Sequence, residues 1–176
     1  MPLMNGLVVG QSKIHGYGII ATRPFKKGDR ICIGDGVVFD ENDDFDDTYA
    51  LVYTDSNREE GVEPENQFYD LVCQTRWINH SCKPNAEVDT AMHPEFGRPY
   101  AWWTALTDIA PGDEITYDYA FVAEVAERCY CQASNCRGLI IDEDEVHLVP
   151  LELKSFLRAQ AEASTAVSPT NTDGAM

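Results

Sequence analysis

Three of the six cysteines fall within eight residues, as Cys129-x-Cys131-x4-Cys136. Thiolates clustered so tightly suit a soft divalent metal such as zinc, held tetrahedrally at Zn–S distances of ~2.3 Å. A closed site needs a fourth ligand, and the neighbouring sequence offers neither Cys nor His at a useful spacing. Cys32, Cys73, Cys82 and the histidines are the candidates. The bland alternative is three unpaired thiols sharing a loop. A second unusual stretch, Asn79-His80-Ser81-Cys82 followed by Lys83-Pro84-Asn85, strings together residues ill-suited to a regular element, and Pro84 ends any helix. Such a polar knot is costly to bury unless each group finds a partner. Left on the surface, it reads as a turn in which Asn79 and Asn85 cap locally. Tyr117 and Tyr119 are two residues apart, so on a strand their phenols share one face.

The composition limits what these residues serve. Lys+Arg 13 against Asp+Glu 30 gives the 176-residue chain a formal net charge of −17. With no basic run, binding to a phosphate backbone is a poor expectation. No apolar stretch approaches the ~18–20 residues needed to span a bilayer. The opening MPLMNGLVVGQSK lacks the charged and apolar regions of an export signal. An intracellular chain, nuclear or cytoplasmic, is therefore expected, and in a reducing compartment clustered thiols favour metal over disulfides. The excess acid is either a solvated surface or an attraction for a basic partner, and charge alone does not decide.

The elements that must position these groups are short. Glycines 16, 18, 28, 34 and 36, with Pro24, punctuate apolar runs at 18–21 and 30–33, a pattern of strands joined by tight turns. Residues 48–54 (TYALVYT), 101–106 (AWWTAL) and 114–119 are further strand candidates, and 110–113 (APGD) is a turn. Residues 40–47, with six acids, form a solvated loop or a polar helix start, and 55–66 are loop. Pro150 opens a short helix with Leu153, Phe156 and Leu157 on one face, and from 159 the chain frays. The expected class is mainly β with few short helices, one compact domain with a short appendage.

Four ordered stretches resemble one family. Arg76-Trp77-Ile78-Asn79-His80-Ser81-Cys82-Lys83-Pro84-Asn85 is similar to the RFxNHSCxPN signature of SET-domain protein lysine methyltransferases. Ser12-Lys13-Ile14-His15-Gly16-Tyr17-Gly18 resembles that family's GxG segment, and residues 111–119 (PGDEITYDY) resemble its GEEL-T-YDY strand. The cysteine loop with Arg137-Gly138 resembles the post-SET motif CxCxxxxCRG. The resemblance covers roughly residues 8–140 and implies the family's β-clip fold, in which a threaded, pseudoknot-like crossing brings the NHSC segment beside the YDY strand, an exception to unthreaded connections. It implies a SET domain over 1–122 and a post-SET zinc loop over 123–140, leaving 141–158 as a helical extension and 159–176 as a disordered tail.

The same resemblance implies roles. His15, Gly16, Tyr17, Gly18, Tyr49, Arg76, Asn79 and His80 line an S-adenosylmethionine pocket, with Leu139 closing over the adenine. Cys82 completes the zinc site of Cys129, Cys131 and Cys136. Tyr119 is the active-site tyrosine, and Tyr117 stands where the family carries Tyr or Phe; a hydroxyl there can hold a water in the space that added methyls need. The implied activity is mono- or dimethylation of a lysine in a histone or other basic protein, the rival being a zinc-stabilised binding module that has lost catalysis. The chain departs from the family pattern in several places. Cys32-Ile33-Gly34 replaces a Tyr-x-Gly stretch, so a second pocket tyrosine is missing or supplied by a residue such as Tyr69. The segment before Arg76 is shortened, Trp77 replaces Phe, and no cysteine-rich module precedes residue 8.

Overall fold

Apolar runs broken every few residues by glycine or proline leave no room for a long helix, and they pair instead as strands. The structure, a computed structural model, describes residues 5–40, 42–53, 67–93 and 95–150. The strands are β1 (Leu7–Gln11), β2 (Tyr17–Ala21), β3 (Arg30–Gly34), β4 (Gly36–Asp40), β5 (Ala50–Tyr53), β6 (Gln67–Leu71), β7 (Asn79–His80), β8 (Ala86–Met92), β9 (Pro99–Ala105), β10 (Glu114–Tyr117), β11 (Glu127–Arg128) and β12 (Leu139–Ile140). Short 3₁₀ turns at Asp47–Tyr49, Gln74–Trp77, Ala123–Val125 and Glu143–Glu145 are the helical elements among the described residues. The mainly β expectation is met, and no described helix is long and apolar enough to cross a membrane.

Four small sheets result, ordered β1-β2-β10-β7, β3-β9-β8, β4-β6-β5 and β11-β12. Most neighbours are antiparallel; β7 instead runs parallel to β10, with Asn79 beside Thr116 and His80 beside Tyr117. Alternation sets which face is buried. β9 buries Ala101, Trp103 and Ala105 and leaves Tyr100, Trp102 and Thr104 half-buried. The core gathers Ile19, Phe25, Tyr69, Leu71, Ile78, Trp103 and Ile115, each essentially inaccessible. A smaller cluster of Ala123, Leu139, Ile141 and Val149 packs separately.

Three expectations need correction. In the 48–54 run, the chain turns through Asp47–Tyr49 before β5 begins at Ala50, and residue 54 lies outside the described residues. The run at 114–119 leaves the ladder at Tyr117, and Ala120 then takes a left-handed φ of 47°, which turns the chain out of the extended direction. Asn79 and Asn85 do not cap locally. Asn85 donates from Nδ2 to the Glu114 carbonyl (2.8 Å) and accepts on Oδ1 from the Thr116 N–H (2.9 Å), so its side chain pairs with β10 as a strand would. The turn at 110–113 forms as expected, with Ala110 N–H donating to Asp113 Oδ2 at 2.8 Å and Gly112 at φ 94°. The acidic loop is exposed over 42–44, and half-buried Phe45 pins it by stacking on Phe39 at 4.5 Å. The helix expected after Pro150, the loop at 55–66 and the tail from 159 lie outside the described residues.

The Asn85 amide offers a direct test of this architecture. Asn85→Ala leaves the Thr116 N–H and the Glu114 carbonyl without their partner and is expected to cost about 2–3 kcal/mol of unfolding free energy in urea titrations. Asp89→Ala, on the exposed edge of β8, should change it by less than about 0.5 kcal/mol.

Candidate active site and metal centre

The turn before β2 is built on Ser12. Its Oγ accepts from the N–H groups of Ile14 (2.8 Å) and His15 (3.2 Å), and it donates to Glu114 Oε1 at 2.8 Å. Gly16 closes the turn at φ 49°, a left-handed conformation that favours glycine. Gly18 is needed for a different reason: a Cβ there would collide with the Glu114 carboxylate. Asn79 Nδ2 then donates to Glu114 Oε1 and to the Tyr17 carbonyl, each at 2.8 Å, with the His15 carbonyl at 3.2 Å sharing the donor. The two motifs 12–18 and 76–85 thus meet on one carboxylate. Glu114 was not singled out from the sequence. Only its neighbourhood to Gly18 reveals it, and that neighbourhood is tertiary.

Of the residues expected to line a cofactor pocket, His15 and Tyr17 contribute backbone carbonyls here, while the Tyr17 ring is 64% exposed and lies 6.1 Å from the Trp77 ring. The Arg76 guanidinium sits 4.0 Å over the Tyr49 ring, and its Nε is buried with no partner among the described residues. That orphaned donor can take an anionic or carbonyl group of a bound molecule. His80 is buried, and Leu139 lies in the second apolar cluster with its carbonyl 3.8 Å from Cys82 Sγ.

β10 ends at Tyr117, so Tyr119 lies just beyond the strand, and the two rings meet at 4.7 Å. Tyr119 donates from Oη to the Ile78 carbonyl (2.9 Å) and from its N–H to His80 Nδ1 (3.2 Å). Burial holds both phenols well above the ordinary tyrosine range; for Tyr119 the neighbouring Tyr49 and Glu114 add to this. Both are neutral hydroxyls at physiological pH. Trp103 packs edge-on against Tyr117 at 5.9 Å, and Phe121 lies 5.6 Å from Tyr119. Cys32, opposite Trp103 in the ladder, is buried, and burial pushes its thiol up to about 12. Tyr69 is fully buried on β6 with its Oη unpartnered among the described residues, and it makes no ring contact with the tyrosine pair.

The open question of the fourth thiol has a geometric answer. The Sγ atoms of Cys82, Cys129, Cys131 and Cys136 all lie within 4.8 Å of one another, with Cys82 3.7 Å from Cys129 and 4.0 Å from Cys136. A tetrahedron with metal–sulfur bonds of ~2.3 Å has edges of about 3.8 Å, so the cluster matches a four-thiolate metal site. The N–H groups of Cys131, Arg137 and Gly138 point at Sγ of Cys129, Cys82 and Cys136 at 3.3–3.4 Å, a setting that suits thiolates. Burial, with Cys136 adding, pushes the Cys82 thiol up to about 11 despite the Arg137 N–H, so thiolates need a cation to coexist there. The β11–β12 ladder pairs Arg128 with Leu139 and closes the loop, and Gln132 Nε2 donates to the Lys13 carbonyl at 3.3 Å, tying it to the turn before β2.

His80 joins the two halves. Its Nδ1 accepts from Tyr119, which leaves the proton on Nε2, 3.4 Å from Cys82 Sγ. Burial drives its pKa down to about 4, with Asp118 opposing and Arg137 assisting, so the ring is neutral at pH 7.

Comparison with known proteins agrees with this arrangement. The family model described as SET domain matches residues 16–120. The chain is 44% identical over 73 residues to histone-lysine N-methyltransferase Set2 of Drosophila melanogaster, covering 40% of this chain and 3% of that protein. It is 31% identical over 146 residues to human histone-lysine N-methyltransferase 2B, covering 75% of this chain and 5% of that protein. The chain therefore spans only a small part of these relatives. Among solved structures, Arabidopsis thaliana SUVH6 in complex with SAM superposes with a TM-score of 0.62 at 22% identity, over 76% of this chain and 33% of that one. KRYPTONITE in complex with mCHH DNA, an H3(1-15) peptide and SAH gives a TM-score of 0.58 at 26% identity, over 76% of this chain and 29% of that one. The expected SET fold is thereby met, and, with the model matching more than half of its residues, the chain belongs to the SET-domain family.

Proposed function

We propose that this chain is a protein-lysine N-methyltransferase that moves a methyl group from S-adenosylmethionine to a lysine side chain of a histone or other basic protein, adding one or two methyls. The observation that carries this reading is the parallel pairing of β7 with β10. It sets Asn79 and His80 against Thr116 and Tyr117, so the two motifs and the turn before β2 form one wall. Support for the ligands comes from SUVH6, solved with SAM, and KRYPTONITE, solved with SAH and an H3 peptide.

The residues suit the cofactor. The carbonyls of His15 and Tyr17, next to Gly16 and Gly18, together with the Asn79 side-chain oxygen, would accept from its amino group. The unpartnered Nε of Arg76 would meet an anionic or carbonyl group of the cofactor, and Tyr49, His80 and Leu139 would complete the pocket. When bound, the sulfonium offers an electrophilic methyl and departs as a neutral thioether. No acid is needed, so positioning and exclusion of water dominate. A lysine ammonium, pKa ~10.4 in water, must be deprotonated, and a buried site next to positive charge lowers that value. Tyr119, anchored on the Ile78 carbonyl, keeps lone pairs free to accept from the amine. Tyr117 is buried with its ring 4.7 Å from that of Tyr119, and its hydroxyl can hold a water where further methyls would sit. Cys82, Cys129, Cys131 and Cys136 would hold a structural zinc, which would stabilise the 123–140 loop. Histones as substrate imply action in the nucleus; a cytoplasmic basic protein is the alternative.

With radiolabelled cofactor and a mixture of histones and lysine-rich peptides, the chain should transfer methyl, and mass spectrometry should find chiefly mono- and dimethyl-lysine. Early trimethyl-lysine would overturn the assigned degree, and cofactor binding without transfer to any substrate would favour the binding module. Tyr119→Phe should lower kcat by about 10²-fold, the usual loss for one positioned donor or acceptor. Elemental analysis should find one zinc per chain, and stripping it with a chelator should weaken cofactor binding; full activity in metal-free protein contradicts the structural role. The charge of −17 predicts that kcat/KM on a basic peptide falls as ionic strength rises from ~0.01 to ~0.15 M, where the Debye length shrinks from about 30 to 8 Å. A flat profile would leave the acids as solvated surface.

A further inference from the structure

Between the two candidate pocket tyrosines lies a carboxylate with three neighbours. Asp118 Oδ1 accepts from Arg137 Nη2 at 2.7 Å and from the Ala120 N–H at 3.1 Å, and it stands 3.4 Å from His80 Nδ1. Ala120 carries the left-handed φ of 47°, and its N–H bond to Asp118 holds this turn, which sets the direction of the chain on leaving Tyr119. On the other side, Arg137 follows Cys136 directly, its N–H points at Cys82 Sγ at 3.4 Å, and its side chain is only 14% exposed. Asp118 is the one carboxylate paired with it among the described residues. A buried guanidinium cannot lose its charge and is costly to strand, so its position is tightly bound to that of Asp118.

We infer that Asp118 and Arg137 are positioning residues: the pair transmits the order of the cysteine loop to the turn at 118–120 and thereby aims the Tyr119 hydroxyl. It deepens the proposed methyltransferase reading and rests on it for its kinetic consequence, but not for its structural one. When the loop loses its metal, Arg137 moves with it. Asp118 is then released, the strained Ala120 turn relaxes, and the Tyr119 bond to the Ile78 carbonyl loosens. Among the described residues neither Asn79 nor Glu114 bonds Asp118 or Arg137, so the bond between them is not part of this sequence of events.

The test compares Asp118→Asn and Arg137→Ala with the unaltered full chain, zinc-loaded and chelated, with tyrosine labelled at the 13Cζ carbon and the Tyr119 signal assigned by Tyr119→Phe. Both variants should retain one zinc per chain and shift the Tyr119 signal in the direction that chelation shifts it in the parent. Chelation of Asp118→Asn should add little further shift. With a substrate turned over by the parent, kcat should fall about tenfold or more while cofactor Kd stays within about threefold, as expected when aim rather than binding is lost. The inference is overturned if the Tyr119 signal is unmoved in Asp118→Asn, or if that variant loses its zinc, since the pair would then serve only the metal site. Should Arg137→Ala fail to fold, Arg137→Lys, which keeps the charge but not the fork, must show an intermediate shift; parent-like behaviour would overturn the inference. If the parent methylates nothing, the function proposed above fails, and the Tyr119 shifts still decide this one.

Discussion

The side-chain amide of Asn79 donates at once to the Tyr17 carbonyl and the Glu114 carboxylate, each at 2.8 Å, and fastens three segments that are far apart in the chain. A bond to a charged acceptor contributes roughly twice what a neutral one does, about 1.5–3 kcal/mol. Much else is arranged around it. Gly18 leaves room for the carboxylate, the Ser12 hydroxyl donates to it, and the parallel pairing of β7 and β10 fixes the height at which Asn79 meets it. An ordinary antiparallel hairpin could not deliver a second polar segment to this edge of β10; a parallel neighbour demands a long connection, here residues 81–113 with β8 and β9 within it.

How far the fold could be read from sequence depended on whether partners were local. The Cys129, Cys131 and Cys136 spacing carries its own chemistry, so the metal reading needed no structure. The fourth thiol carried no local signal and was named only through the family resemblance. The strand at 101–106 and the turn at 110–113 were legible because alternation and Pro-Gly-Asp act within a few residues. Local reasoning failed where a distant partner won. Asn79 and Asn85 resemble caps, but their acceptors lie 62 and 29 residues away. Alternation carried the strand on to Tyr119, whereas β10 stops at Tyr117, and the left-handed Ala120 just beyond has no signature in its residue type. Glu114 was invisible for the same reason.

The site is made of two chemically unlike halves, a hydrogen-bonded wall and a thiol cluster, and the neutral imidazole of His80 faces both with different nitrogens. That arrangement requires His80 to stay uncharged, which burial secures, and a metal on the four sulfurs would require ionised thiols, which burial opposes at Cys82. A cation resolves the second demand without disturbing the first. The neutral phenols of Tyr117 and Tyr119 follow from the same dry surroundings.

Ser12 meets Glu114 across 102 residues, and Gln132 meets Lys13 across 119. Closing a loop of 102 residues costs about 4 kcal/mol of chain entropy before any contact repays it. On a ribosome adding about 5–20 residues per second, the turn before β2 emerges seconds ahead of the carboxylate that orders it. The nascent chain therefore has no partial version of the pocket, and its first strands must wait, edges unpaired, for the last ones. Folding dominated by such distant pairings is slow, in the range of milliseconds to seconds. Until Glu114 arrives, Ser12 and Asn79 both lack the carboxylate they share.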